Sequence, residues 1–293
     1  MSLSFSAPWN SVGKTPLIKI TPRLYAKLET VNPTGSIKDR PIQYIVERAI
    51  HSGEIDEKSI LVEATSGNTG ISLSALGASL GLPVKIIMPQ NMSEERQEIM
   101  KSFGAEVILV GDSDFDGAIE LRNNLCNDDR FWSPQQFENV LNIQCHKEHI
   151  GTEIINDLAD MNATFSAFVA GSGTGGTIMG VRSAIIEKGL GTHVCMVQPY
   201  EKDGTHGIQG IADGSNFLAN PHLVDRVFRI KTRDAKIRAK LFAQQQGVLV
   251  GISSGANLCA AETYIQTFNP AGIVVTILCD RGERYLSDIS NWK

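Results

Sequence analysis

Short apolar runs alternate with stretches of helical period along most of the 293 residues, the pattern of βα units laid on a mainly parallel sheet. Ile60-Leu61-Val62-Glu63-Ala64 reads as a strand, followed by a helix over 69–80 that stops at Gly81. The next strand, 84–88, ends at Pro89, and Ser93 stands where a helix over 94–103 would be capped. A third strand over 106–110 and a third helix over 116–126 follow, and this half breaks off in the polar Asn127-Asp128-Asp129-Arg130. The second half repeats the alternation, with strands predicted at 165–170, 194–198 and 273–278 and helices at 177–188, 234–246 and after Ser253. From Pro199 to Pro221 no period is visible, and irregular stretches of that length are often functional. A helix is also expected from about Asp39, with Pro41 in its first turn, where a missing N–H has no intrahelical partner to lose. The pattern predicts an α/β fold of two open, mainly parallel-sheet domains, with a cleft at the strand carboxyl ends, where ligands of such sheets bind.

Chemistry gathers at the starts of the helices. Lys38 lies in Asn32-Pro33-Thr34-Gly35-Ser36-Ile37-Lys38-Asp39-Arg40, a polar turn that runs into a helix. An ammonium is disfavoured at the positive end of the macrodipole, and the same field favours the neutral amine that forms Schiff bases. Taken alone, a solvated surface lysine is the commoner reading. Gly171-Ser172-Gly173-Thr174-Gly175-Gly176-Thr177 follows a predicted strand and precedes a predicted helix. Its glycines let successive N–H groups face one anion, and Thr174 and Thr177 add hydroxyls. The loop also matches Gly-x-Gly-x-x-Gly, but Gln198-Pro199 stands where a dinucleotide site needs an acid for the ribose. A cup for a monophosphate is therefore favoured.

Two further loops are open to two readings each. Thr65-Ser66-Gly67-Asn68-Thr69-Gly70 could hold a carboxylate at a helix N-terminus, or could merely cap that helix. Gly251-Ile252-Ser253-Ser254-Gly255 could present a neutral hydroxyl to a heteroaromatic nitrogen, though capping is the commoner duty of such a serine. His146 and His149 fall at i, i+3 without a third ligand, so no metal site is expected. Glu94, Glu95 and Arg96 read as a solvated helix start.

Composition narrows the field. A net charge of −5, with no Lys/Arg-rich run, gives no electrostatic case for nucleic acid or an acidic membrane. No apolar stretch approaches the roughly 20 residues that span a bilayer. Met1-Ser2-Leu3-Ser4-Phe5-Ser6 lacks the basic and apolar regions of a secretory signal, and the five dispersed cysteines suit reduced thiols. A cytoplasmic protein is the expectation.

In order along the chain, the Lys38 turn, Thr65-Ser66-Gly67-Asn68-Thr69-Gly70, the cup from Gly173 to Thr177 and Gly251-Ile252-Ser253-Ser254-Gly255 resemble the cysteine synthases. These are O-acetylserine sulfhydrylases of the tryptophan synthase β-like, fold type II, pyridoxal-phosphate family. The likeness runs from Gly13-Lys14-Thr15-Pro16-Leu17 to Cys279-Asp280-Arg281-Gly282-Glu283-Arg284-Tyr285-Leu286. That closing motif is similar to the B-type enzymes, whereas Gln135-Gln136-Phe137 and Gly207-Ile208-Gln209-Gly210-Ile211 are more similar to the A-type. The chain departs from the family at His149-Ile150-Gly151-Thr152-Glu153. Its loop from Asp203 to Asn216 lacks the paired arginines of many B-type enzymes, which speaks against bulky sulfur donors such as thiosulfate.

The resemblance implies pyridoxal 5'-phosphate held on Lys38 as an internal aldimine. Asn68 would bond its phenolic oxygen, Gly173, Thr174, Gly175, Gly176 and Thr177 its phosphate, and Ser253 would face its ring nitrogen. Thr65, Ser66, Gly67, Thr69 and Gln136 would take the substrate carboxylate. The implied domains are 35–133, smaller and mobile, and 1–34 with 134–293, larger and phosphate-binding. The implied reaction is β-replacement on O-acetyl-L-serine or O-phosphoserine by sulfide, through an aminoacrylate, to give L-cysteine. Cystathionine β-synthase chemistry with serine and homocysteine would use the same motifs, and a silent metabolite-binding module is the non-enzymatic alternative. A homodimer is implied, and a complex with serine acetyltransferase is left open.

Overall fold

The computed structural model describes residues 3–65, 67–201, 206–211 and 217–289. Strands β1 (Leu17–Lys19) and β2 (Leu24–Leu28) come first, then α1 (Asp39–Ser52), β3 (Ile60–Ala64), α2 (Asn68–Leu80) and β4 (Val84–Pro89). They are followed by α3 (Glu94–Ser102), β5 (Glu106–Val110), α4 (Phe115–Leu125) and β6 (Phe131–Trp132). Next come α5 (Leu141–His146), a π-helical turn at Lys147–Gly151, α6 (Thr152–Asp160), β7 (Phe165–Gly171), α7 (Gly176–Glu187) and β8 (His193–Pro199). The chain closes with β9 (Arg226–Ile230), α8 (Thr232–Gln246), α9 (Ile252–Phe268), β10 (Ile273–Leu278) and α10 (Leu286–Ile289).

These elements form two compact units, Met1–Val12 with Asn32–Asn139, and Gly13–Val31 with Val140–Lys293. The first unit carries an all-parallel sheet in the order β5-β4-β3-β6. The second carries a sheet in the order β1-β2-β10-β7-β8-β9, parallel except for the β1–β2 pair. Parallel strands are covered on both faces, so they read as near-continuous apolar runs. Val169, Cys195, Val197, Val274 and Leu278 accordingly sit fully buried in the second core, and Leu61, Ile86 and Met88 in the first.

The observed division differs from the expected one at the N-terminus. Residues 1–12 belong with the first unit because Trp9 is part of its core, with Leu3, Phe5 and Val12 packed against it. Four strands carried no readable period, the first of them β1, only three residues long. In β2, Lys27 is buried with Glu153 at 2.9 Å and Asp157 at 3.3 Å, so a cation interrupts the apolar run. The edge strand β9 is interrupted by Arg226 and Arg229, and β6 is two residues long. Arg96 is not solvated as expected: it is buried, and so is Gln97. Ser93 occupies the N-cap position of α3 without a side-chain cap bond.

Candidate active site

In the first unit, Lys38 occupies the N-cap position of α1, half-buried, with backbone angles of −70° and −19°. The turn before it closes through Gly35 N–H to Asn32 O at 2.7 Å, and Ile42 N–H opens the helix on Lys38 O at 3.2 Å. Asp39 fixes this turn from below. Its fully buried carboxylate accepts Thr34 N–H at 2.7 Å, the Thr34 hydroxyl and the Ser72 hydroxyl. An acid in the first turn also suits the helix dipole. Because Ser72 lies on α2, that one carboxylate ties the Lys38 turn to the helix whose N-terminus bears the Thr65–Gly70 loop.

That loop leaves the carboxyl end of β3. Gly67 is the N-cap of α2 and brings no side chain, and Thr65 Oγ1 accepts Gly67 N–H at 3.1 Å. Thr69 Oγ1 donates to Gln136 Oε1 at 2.5 Å, and Gln136 Nε2 donates to Ala64 O at 3.3 Å. Thr65, Thr69 and Gln136 are thus brought together on the sheet edge, with Asn68 half-buried beside them in the first turn of α2. Ser66 lies outside the described residues. Gly67 adopts φ +153°, and a Cβ there would stand 2.4 Å from Arg96 Cδ, so only glycine fits beneath this loop.

A buried ion pair holds Gln136 in place. Glu63 Oε2 accepts Gln136 N–H at 3.0 Å, and Glu63 Oε1 accepts Ala64 N–H at 2.8 Å and Arg122 Nη1 at 3.3 Å. Burial pushes the Glu63 carboxyl up from its ordinary range, opposed by the Arg122 guanidinium and the two backbone N–H groups. Neither Glu63 nor Arg122 was singled out from sequence. The available signal was an acid inside the apolar run Ile60–Ala64, since such a residue is rarely fully buried unless paired.

In the second unit, the glycine-rich loop leaves the carboxyl end of β7 and enters α7. Ser172 N–H donates to Val197 O at 3.1 Å and Leu218 N–H to Thr174 O at 3.0 Å, fixing both walls of the loop. Gly175 is the N-cap with φ +92°, and α7 has no side-chain cap. Thr174 is buried, Thr177 half-buried, and Thr177 Oγ1 lies 3.3 Å from His146 Nε2. His146 therefore faces this loop; among the described residues no group of three or more His, Cys, Asp and Glu could hold a metal.

Ser253 lies at the carboxyl ends of β7 and β10, the end from which the glycine-rich loop leaves. The N-cap of α9 is Gly251, and no side chain caps it, so capping is not what either serine does. Ser254 Oγ accepts Cys279 N–H at 2.9 Å at the end of β10, the strand beside β7. Ser253 is 5% exposed, and its hydroxyl has no hydrogen-bond partner among the described residues. A Cβ on Gly173 would meet Gly210 O at 2.4 Å, and one on Gly210 would lie 3.8 Å from Ser253 Oγ, so the cup and Ser253 are near neighbours. The closing motif braces this loop: Gly251 N–H donates to Asp280 O at 3.0 Å, and Tyr285 Oη to Asp280 Oδ2 at 2.6 Å.

The donor set suits pyridoxal phosphate. Residues 173–177 offer helix-terminal N–H groups and two hydroxyls with no acid among them, as a phosphate dianion requires. Ser253 offers a neutral hydroxyl, and Lys38 a primary amine. No disulfide joins any of the five cysteines. Among the described residues no helix is long and apolar enough to cross a membrane.

A family model described as "Pyridoxal-phosphate dependent enzyme" matches residues 9–280. Cysteine synthase B of Campylobacter jejuni is 39% identical over 291 residues, covering 94% of this chain and 95% of its own. A hydrogen sulfide-producing enzyme from Fusobacterium nucleatum superposes with a TM-score of 0.90 at 38% identity, over 95% of this chain and 89% of that one. The O-acetylserine dependent cystathionine beta-synthase of Helicobacter pylori gives a TM-score of 0.90 at 32% identity, over 97% and 98%. The fold, the site chemistry and a match across nearly the whole sequence agree, and the chain belongs to the pyridoxal-phosphate dependent enzymes.

Proposed function

We propose that this chain is a cysteine synthase, replacing the acetoxy group of O-acetyl-L-serine, or the phosphate of O-phosphoserine, with sulfide to give L-cysteine and acetate or phosphate. The observation that carries the reading is the Asp39–Ser72 tie, which couples an amine-bearing helix start to an anion-binding loop in one unit.

Pyridoxal phosphate, when bound, supplies an electron sink that stabilises negative charge at the substrate α-carbon. The chain supplies the rest. Thr174, Thr177 and the loop residues Gly173, Gly175 and Gly176 would hold the phosphate. Asn68 bonds the phenolic oxygen. Ser253 Oγ meets the ring nitrogen with a neutral hydroxyl and no acid. Thr65, Ser66, Gly67, Thr69 and Gln136 hold the substrate carboxylate and orient the α-hydrogen, and Lys38 Nζ takes that proton as the leaving group departs from Cβ.

Purified protein supplied with O-acetylserine and sulfide should release cysteine and acetate in equal amounts. The same assay with serine and homocysteine tests the cystathionine-forming alternative, to which the Helicobacter pylori neighbour gives weight. Faster cystathionine than cysteine formation would move the assignment to that reaction, and no turnover with any pair would end the enzymatic reading. The proposal extends to a cytoplasmic homodimer, which light scattering would test. Mixing with serine acetyltransferase would show whether the two co-elute.

A further inference from the structure

Helix α5 passes behind the phosphate cup within the second unit. Asn142 and His146, four residues apart, share one face of it and meet Thr174 and Thr177 respectively. Asn142 is 1% exposed. Its Nδ2 donates to Thr174 Oγ1 at 3.0 Å, and Gly176 N–H reaches the same oxygen at 3.4 Å. Its Oδ1 lies over Gly176, 2.0 Å from where a Cβ on that residue would stand. The carboxamide is therefore wedged against the first residue of α7 with its donor aimed at the cup.

A hydroxyl oxygen has two acceptor sites and one proton. With both acceptor sites of Thr174 Oγ1 turned toward Asn142 and Gly176 N–H, its own proton points the other way. We propose that Asn142 is a positioning residue of the cup, which fixes the Thr174 hydroxyl as a donor to the cofactor phosphate. This rests on the reading of residues 173–177 as the phosphate site. A donor held in advance carries no reorientation cost on binding, and a hydrogen bond to a charged acceptor is among the stronger ones.

The test compares pyridoxal phosphate with pyridoxal, which lacks the phosphate, in titrations of the apo-protein. Wild type, Asn142→Leu and Asn142→Asp are measured, with a thermal melt of each. Wild type should prefer pyridoxal phosphate strongly. Asn142→Leu, close in shape but without a donor, should reduce that preference about tenfold, the effect of one hydrogen bond. Asn142→Asp should reduce it about a hundredfold, because a carboxylate accepts the Thr174 proton, turns it inward and adds repulsion. The pyridoxal affinity should stay unchanged in both.

A role confined to packing gives the reverse order, since aspartate is the better steric match. Asn142→Asp retaining the wild-type preference, or exceeding Asn142→Leu, would overturn the proposal. Wild type binding both compounds equally would instead overturn the cup itself. Thr174→Val reads the same donor without touching α5: in that background Asn142→Leu should cost nothing further, and a persistent tenfold loss would count against the proposal.

Discussion

Gly175→Ala is the substitution whose cost the geometry specifies most fully. An L-residue held at φ +92° costs about 1–2 kcal/mol. The new Cβ would also stand 2.2 Å from Ala219 N, where ordinary contact begins at 3.4 Å, so about 1.2 Å must be made up by backbone movement. Overpacking of that kind costs about 1–3 kcal/mol. The segment that must yield is bonded to the cup, through Leu218 N–H to Thr174 O, so its displacement is passed directly to the loop proposed to hold the phosphate. The combined cost, about 2–5 kcal/mol, corresponds to a fall in Tm of roughly 3–8 °C.

Gly53→Ala is the matched control. Gly53 has φ +80° with nothing within 4 Å of a Cβ, so only the backbone term of about 1–2 kcal/mol applies. Fluorescence titration of the apo-forms with pyridoxal phosphate, beside thermal melts, separates the two. Gly175→Ala should weaken cofactor binding more than about tenfold while Gly53→Ala leaves it unchanged. Wild-type affinity in Gly175→Ala would refute the reasoning that this loop geometry holds the phosphate.

Other substitutions address the first unit. Gly67→Ala meets Arg96 Cδ at 2.4 Å and should raise the amino-acid KM at least about tenfold, with cofactor content unchanged in the visible spectrum. Glu63→Ala removes the buried counter-charge of Arg122 and the acceptor of Gln136 N–H. It should lower stability by about 3–5 kcal/mol in a denaturant melt, and the double change Glu63→Leu/Arg122→Met should recover part of that. Burial pushes the thiols of Cys195 and Cys259 from the ordinary 9.0 up to about 12. The folded chain keeps those protons where the unfolded chain loses them. Their contribution is complete below about pH 9 and declines as pH rises toward about 12, so Cys195→Ala and Cys259→Ala should flatten the alkaline fall in Tm.

How much of this was legible depended on what surrounds each residue. The bounds of β3 and β10 matched the expected runs because both are interior strands buried along nearly their whole length, while β5, a partly exposed edge strand, matched on its apolar run 107–110. Lys27 hid β2, because the carboxylates that neutralise it come from α6, far along the chain. Glu94-Glu95-Arg96-Gln97 has the composition of an exposed helix start, and only tertiary packing against Gly67 buries Arg96. The Thr65, Thr69 and Gln136 cluster could be named residue by residue, yet its anchor Glu63 could not, since its role depends on partners 59 and 73 positions away. Asn142 was hidden for another reason: α5 is six residues long and runs into a π-turn, too short for a period to mark which face looks at the cup.

In the proposed function Lys38 Nζ carries the cofactor. Reduction of the holo-protein with borohydride, followed by digestion and mass spectrometry of the peptides, reads this directly. One pyridoxyl-phosphate adduct is expected on the peptide containing Ser36-Ile37-Lys38, abolished in Lys38→Ala. An adduct on a different lysine, or its persistence in Lys38→Ala, would contradict it.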